Sequence, residues 1–116
     1  MPKTDVVFLE SIHTRCAKVV ELVNKKTDSD KEKLRRIFFI ASDNFFHLFW
    51  EYLAERDGEV EKYECRNKFL SMRIRHASET RLFMERDVRW IDLKSKLMVQ
   101  MYEVYDGFRL YLETGK

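Results

Sequence analysis

Three histidines, two cysteines and a run of arginines are the side chains of this sequence that could do chemistry. Glu10 and His13 are three residues apart, the spacing that brings two metal ligands together on one face of a helix. Di-iron helical bundles need a second such unit and two further glutamates, but neither His47 nor His76 has a glutamate three residues before it. His13 and Cys16 share the same spacing, and no second pair completes a zinc site. The sequence therefore predicts no metal site and no cofactor.

The residue patterns of common catalytic sites are missing from the sequence. There is no glycine-rich phosphate loop, and no serine lies in a nucleophile elbow. Small helical RNases of the HEPN type carry an arginine, then about four to six residues, then a histidine, and none of the three histidines here has an arginine at that distance. We therefore expect that the protein is not an enzyme.

A basic stretch is the most specific binding signal. Residues 65–78 contain no acidic side chain, and more arginines follow. Such a cluster could track the phosphates of a nucleic acid. The candidate contacts are Arg66, Lys68, Arg73, Arg75, Arg81 and Arg89. A simpler interpretation is a solvated helix face, because Glu64–Lys68 and Glu85–Arg89 have the spacing of helix-stabilising ion pairs, and a net charge of +2 does not by itself indicate nucleic acid.

The composition is that of one soluble helical domain spanning residues 1–116. Apolar residues make up 45% and charged residues 36%, and this much charge with little glycine or proline favours long solvated helices. Two cysteines make no disulfide framework, so we expect reduced thiols. The first ten residues do not resemble a signal peptide, and the most apolar stretch, residues 37–53, is too short and too polar to span a bilayer. We expect a cytoplasmic protein, of a cell or of an infected host.

The spacing of apolar residues predicts an all-α bundle of three helices with a long C-terminal helix. The first helix is expected at about Asp5–Lys25 and the second at about Asp30–Arg56, started by a Ser29–Glu32 capping box and ended by Asp57-Gly58. The third is expected from Glu59 to about Glu113, since no glycine or proline interrupts residues 59–106. A break near Ser78, which would make four helices, is the alternative.

Two apolar lines run along the last part of this third segment, and the second consists of Phe83, Trp90, Leu97, Val104 and Tyr111. A heptad phase starting at Val60 places Ile91 and Met98 in a buried seam. A second line at spacing seven makes the apolar arc wider than one neighbouring helix covers, which favours association between copies of the chain. The alternative is that the helices fold back into a closed bundle. The predicted self-association or partner surface consists of Phe46, Trp50, Trp90, Leu97, Met101, Val104 and Phe108.

From these patterns we predict a non-enzymatic helical interaction protein. It would act as an adaptor, inhibitor or assembly subunit through protein–protein contacts and self-association, with a protein partner that the sequence does not identify. The alternative is a helical nucleic-acid-binding subunit that uses the basic region 66–89. Neither prediction involves a cofactor or a membrane.

Overall fold

The computed structural model describes the backbone of residues 1–27, 29–85 and 89–114, and the side chains of residues 1–27, 29–56, 74–76, 78, 81 and 89–114. Three helices account for nearly all of these residues: α1 (Lys3–Asn24), α2 (Lys31–Glu85) and α3 (Trp90–Thr114). The described residues contain no strand. The predicted all-α class, helical bundle and long C-terminal helix are confirmed.

Helix α2 cannot be one straight rod. Its 55 residues would extend ~82 Å at 1.5 Å per residue, whereas the longest dimension of the molecule is 46 Å. The ring Nε2 of His76 lies 2.7 Å from the hydroxyl of Ser42, although 34 residues separate them. The chain therefore turns back within α2, which has a first limb (residues 31–56) and a second limb (residues 74–85).

The bundle has four rods, which are α1, the two limbs of α2, and α3, and they run alternately up and down. Helix α1 is antiparallel to α3, as two contacts show: Cys16 with the carbonyl of Met101, and Lys94 with the carbonyl of Lys26. The first limb of α2 runs parallel to α3, as the ring contacts Phe46–Phe108 and Phe49–Tyr111 show. The second limb runs back again. This arrangement lets α1, the first limb of α2 and α3 bury their apolar faces against one another.

The core is built mainly from phenylalanine and leucine. Phe49 is central to it, since its ring stacks on Phe108 at 4.1 Å and meets Tyr111 edge-on at 5.5 Å. Aromatic pairs of this kind add to the stability that burial itself supplies. The fully buried large side chains also include Ile12, Leu34, Phe45, Phe46, Leu53, Leu93, Leu97 and Met101.

The predicted continuous helix over residues 59–113 is wrong. Helix α2 ends at Glu85 and α3 begins at Trp90. The side chain of Gln100 donates to the carbonyl of His76 at 3.4 Å across 24 residues, a separation that would be ~36 Å in one helix. The alternative break near Ser78 is also misplaced, because α2 continues through that residue. Folding back buries an apolar arc that a lone helix would leave in water.

The predicted heptad phase assigns the wrong face of α3 to the core. Ile91, predicted in the buried seam, is 64% exposed, and Met98 is only partly buried. The second apolar line is the one that faces the core: Leu97, Val104 and Tyr111 are all buried. Both lines have seven-residue spacing, so periodicity alone does not show which of them faces the core. The side of α3 with the wider apolar arc is the one that packs inward.

The starts of α1 and α2 also differ in detail from the predictions. Helix α1 begins at Lys3, two residues earlier than expected, and the backbone N–H groups of Asp5 and Val6 donate to the carbonyl of Pro2. At the start of α2, the carboxylate of Asp30 accepts the N–H of Lys33 at 3.1 Å. Asp30 therefore caps this helix, in place of the predicted Ser29.

Candidate functional site

One end of the bundle gathers basic residues from three separate segments of the chain. They come from the residues that directly follow α1, from the first turns of α2, and from the start of α3 with the residue before it. The ammonium of Lys94 on α3 donates to the backbone carbonyl of Lys26 at 3.4 Å, which joins two of these segments directly. We call this region the basic end. Its cations are Lys25, Lys26, Lys31, Lys33, Arg35, Arg36, Arg89, Lys94 and Lys96.

Only four described carboxylates accompany these nine cations: Glu21, Asp30, Glu32 and Asp92. Three of them pair with cations on their own helix or beside it. Lys25 binds Glu21 at 3.0 Å, Arg35 binds Glu32 at 3.0 Å and Arg89 binds Asp92 at 3.1 Å. The basic end therefore keeps an excess of positive charge after its local ion pairs are made.

The side chains of three cations of the basic end, Lys26, Lys31 and Arg36, form no ion pair, hydrogen bond or ring contact within the described part of the chain, and Arg36 is exposed. Lys94 has no ion pair there either, but its ammonium donates to the carbonyl of Lys26. Two helices begin and two end here, since the second limb of α2 runs back toward this end, so helix dipoles largely cancel. The positive potential of this end therefore comes from side chains.

Two half-buried aromatic rings lie among these cations. The guanidinium of Arg35 lies over the ring of Phe39, 5.1 Å from its centroid, and the ammonium of Lys94 lies over the ring of Trp90 at 5.7 Å. Both distances are within the range of cation–π attraction. The basic end thus combines cations with flat apolar surface.

The opposite end of the bundle is acidic. It contains the start of α1, the end of the first limb of α2 and the end of α3, and we call it the acidic end. Its described carboxylates are Asp5, Glu10, Glu51, Glu55, Glu103, Asp106 and Glu113, and its described cations are Lys3, Arg56 and Arg109. Among the residues whose side chains the structure describes, the two ends therefore carry opposite signs of charge, although the net charge of the whole chain is only +2.

A buried polar cluster holds the acidic end together. The carboxylate of Asp5, with its side chain 1% exposed, lies 3.2 Å from the guanidinium of Arg56 and accepts a short hydrogen bond from the hydroxyl of Tyr52. The ring of Phe8 stacks on Tyr52 at 4.4 Å and shields the cluster. Asp5 is the predicted first residue of α1, and no periodic signal distinguishes a buried carboxylate from one that caps a helix.

A second polar cluster ties three rods together in the middle of the bundle. Ser42 and Gln100 are each 2% exposed, and both contact His76. The pair of Ser42 and His76 has the distance of a nucleophile and its base, but a buried serine offers no access to a substrate. The cluster satisfies buried polar groups and so fixes the position of the second limb.

The other chemically active side chains are also held in structural roles. Cys16 is fully buried, and burial raises the pKa of its thiol to about 12, so at neutral pH it stays protonated and is a weak nucleophile. His13 lies against the rings of Tyr102 and Tyr105 at 5.5 and 5.2 Å. Across the described residues no group of three His, Cys, Asp or Glu side chains could hold a metal ion.

The predicted self-association residues lie mostly inside one chain. Phe46, Leu97, Met101, Val104 and Phe108 are each at most 4% exposed, and Trp50 and Trp90 are partly buried against the same core. The wide apolar arc is covered by the chain's own helices, as in the closed-bundle alternative. The five buried side chains therefore form no exposed surface for a partner in this fold, whereas Trp50 and Trp90 stay partly exposed.

The predicted nucleic-acid contacts are only partly within the described structure. Arg75, Arg81 and Arg89 are exposed, while the side chains of Arg66, Lys68 and Arg73 lie outside the described residues. Arg89 belongs to the basic end. Sequence analysis missed the larger share of that end, the six cations of residues 25–36, because acids are interspersed among them in the sequence. The density of these cations over residues 25–36 was the sequence signal that could have revealed the basic end.

Comparisons with protein-family models, with curated proteins and with solved structures give no match. A search of the described helices finds none with the length and hydropathy needed to span a membrane.

Proposed function

We propose that this chain is a non-enzymatic interaction protein that binds nucleic acid through its basic end. The observation that carries the proposal is the meeting of nine cations from three chain segments, with Lys26, Lys31 and Arg36 left without an ion pair. Sequence analysis left two partner classes open, protein and nucleic acid. The excess positive charge and the aromatic rings beside it favour nucleic acid.

Like charges placed together repel one another and do not stabilise a fold. The unpaired cations of the basic end therefore contribute little to folding. Their position among other cations favours a role in binding an anion. Each phosphate that such a cation neutralises releases condensed counterions. A polyanion gains from all three cations at once, because they are held on one rigid end of the bundle.

The test is fluorescence anisotropy of labelled DNA and RNA oligonucleotides between about 50 and 200 mM salt. Binding should weaken steeply with salt. The variant Lys26→Ala/Lys31→Ala/Arg36→Ala should lower the slope of log affinity against log salt by about 2 to 3, because each phosphate contact accounts for about 0.7–0.9. Circular dichroism should be unchanged, since none of the three side chains has an ion pair to lose.

The matched control removes the same amount of charge elsewhere. Lys3, Arg15 and Arg109 are exposed and lie outside the basic end, so Lys3→Ala/Arg15→Ala/Arg109→Ala should leave the slope nearly unchanged. Equal losses in the two triple variants would mean that only net charge matters and would contradict a defined interface. Binding to poly-glutamate without binding to DNA or RNA would favour a protein partner instead.

Self-association also remains a proposal, with a different surface from the one predicted. The exposed large apolar side chains of α3 are Ile91, Val99 and Leu110, and a second copy could pack on the helix face that carries them. Light scattering coupled to size exclusion tests this proposal. A mass of 14.2 kDa at every concentration would contradict it.

A further inference from the structure

We propose that the basic end binds single-stranded nucleic acid, with a base stacked on Trp90 and Lys94 contacting a neighbouring phosphate. This inference rests on the proposed function and names its ligand more closely. It depends on the position of the Trp90 ring, whereas the proposed function depends on the excess of positive charge.

Trp90 is the first residue of α3 and lies within the basic end. Part of the indole packs against the core, and the ammonium of Lys94 lies over the ring, 5.7 Å from its centroid. The same ammonium is 3.4 Å from the carbonyl of Lys26. A long lysine side chain can swing away from a ring face at little cost. The core thus holds one part of the ring, and the Lys94 ammonium over the ring can move aside when a base stacks there.

A flat ring next to cations matches the two chemical parts of a single strand. Every base has a π-face that can stack on an aromatic side chain, and the adjacent phosphate needs a cation nearby. In a duplex the base faces are already stacked on one another, so Trp90 would gain no base contact there. The geometry therefore favours a single strand over a duplex.

Arg35 and Phe39 repeat the arrangement at the same end. The guanidinium of Arg35 is 5.1 Å from the centroid of the half-buried Phe39 ring. A strand that crosses the basic end would meet a second ring flanked by a cation. Single-strand binding proteins commonly combine several such stacking positions with a basic track.

The test uses the full-length protein with Trp50→Phe, so that Trp90 is the one remaining tryptophan. Single strands of ~12 nucleotides, within the usual site size, are titrated as oligo-dT and oligo-rU, next to a duplex of equal length. Stacking should quench the Trp90 fluorescence with single strands and leave it nearly unchanged with the duplex.

Trp90→Leu should lower the affinity for oligo-dT by roughly 5- to 150-fold, the range expected for one stacked base. Trp90→Phe should restore most of this loss, because phenylalanine also stacks. Neither variant removes a charge, so the salt slope should stay as in the parent protein. Circular dichroism and thermal melting identify a folding defect in Trp90→Leu, in which case the comparison rests on Trp90→Phe and on the quenching.

Three outcomes separate this inference from the proposed function. Quenching and weaker binding in Trp90→Leu support it. Equal affinity for duplex and single strand, with no effect of Trp90→Leu but a loss in the Lys26→Ala/Lys31→Ala/Arg36→Ala variant, would overturn the single-strand inference and leave the proposed function standing. No salt-dependent binding to any oligonucleotide would overturn both.

Discussion

The two ends of the bundle use charge in opposite ways. At the acidic end the carboxylate of Asp5 is buried, and Arg56 and Tyr52 satisfy it. At the basic end Lys26, Lys31 and Arg36 have no ion pair in the described chain. A buried charge must be paired to be tolerated at all, while an exposed charge can remain unpaired at little cost.

This difference separates structural residues from binding residues. The Asp5 cluster closes α1 onto the first limb of α2, so changes there should reduce stability. The basic end adds little to stability, so changes there should affect binding and leave the fold intact. Three measurements of stability test the comparison.

The largest effect is expected in the core beneath the acidic end. Phe108→Ala removes a fully buried ring that stacks on Phe49 at 4.1 Å, and it should lower the free energy of unfolding by about 3–5 kcal/mol. Ile91→Ala, on the same helix at the basic end, removes a side chain that is 64% exposed and should cost within about 0.5 kcal/mol. Urea unfolding of both variants measures this, and equal losses would mean that the buried side of α3 is misassigned.

A smaller effect is expected at the Asp5 cluster. Asp5→Ala leaves the hydroxyl of Tyr52 and the guanidinium of Arg56 without their shared partner and should cost about 1–3 kcal/mol. The value is below that of a fully buried ion pair, because the Arg56 side chain is 30% exposed. Lys31→Ala is the control at the basic end, and its effect should be within about 0.5 kcal/mol. If chemical denaturation found the control as damaging as Asp5→Ala, the contrast between the ends would fail.

The smallest effect concerns pH. Burial, and then the hydrogen bond to Asp5, raises the pKa of Tyr52, so the folded protein holds this proton more tightly than the unfolded chain. The stabilisation is complete below the unfolded pKa of about 10 and is lost as pH rises through the higher folded pKa. The stability difference between the parent protein and Tyr52→Phe should therefore fall as the pH rises above about 10. A difference that stays constant over this range would show that Tyr52 titrates normally.

Much of the fold could be predicted from local pattern. The bounds of α1 and the start of α2 are within two residues of the predictions, since apolar spacing and the scarcity of glycine and proline act locally. In α1, Ile12, Cys16 and Val23 recur at the spacing of one helix face, and all three are fully buried. The errors arise where two patterns compete, as on α3, where both apolar lines have the spacing of a helix face.

The candidate site was harder to predict than the fold. Sequence analysis looked for cations that are neighbours on one helix and chose residues 66–89. The basic end is instead built from residues 25–36 and 89–96, which are distant in sequence and meet only because the rods run up and down. A one-dimensional charge count cannot detect such a cluster.

The amino-acid sequence by itself determined the helical class, the apolar faces and the amount of charge, because backbone propensity and side-chain periodicity depend on near neighbours. The tertiary structure decided which apolar line of α3 is buried, where α2 turns back, and that positive and negative charge collect at opposite ends. Those outcomes depend on contacts across 24 and 34 residues, such as His76 with Gln100 and Ser42. The physical reason is that burying the wide apolar arcs requires the rods to fold back on one another, and that folding determines which charges become neighbours.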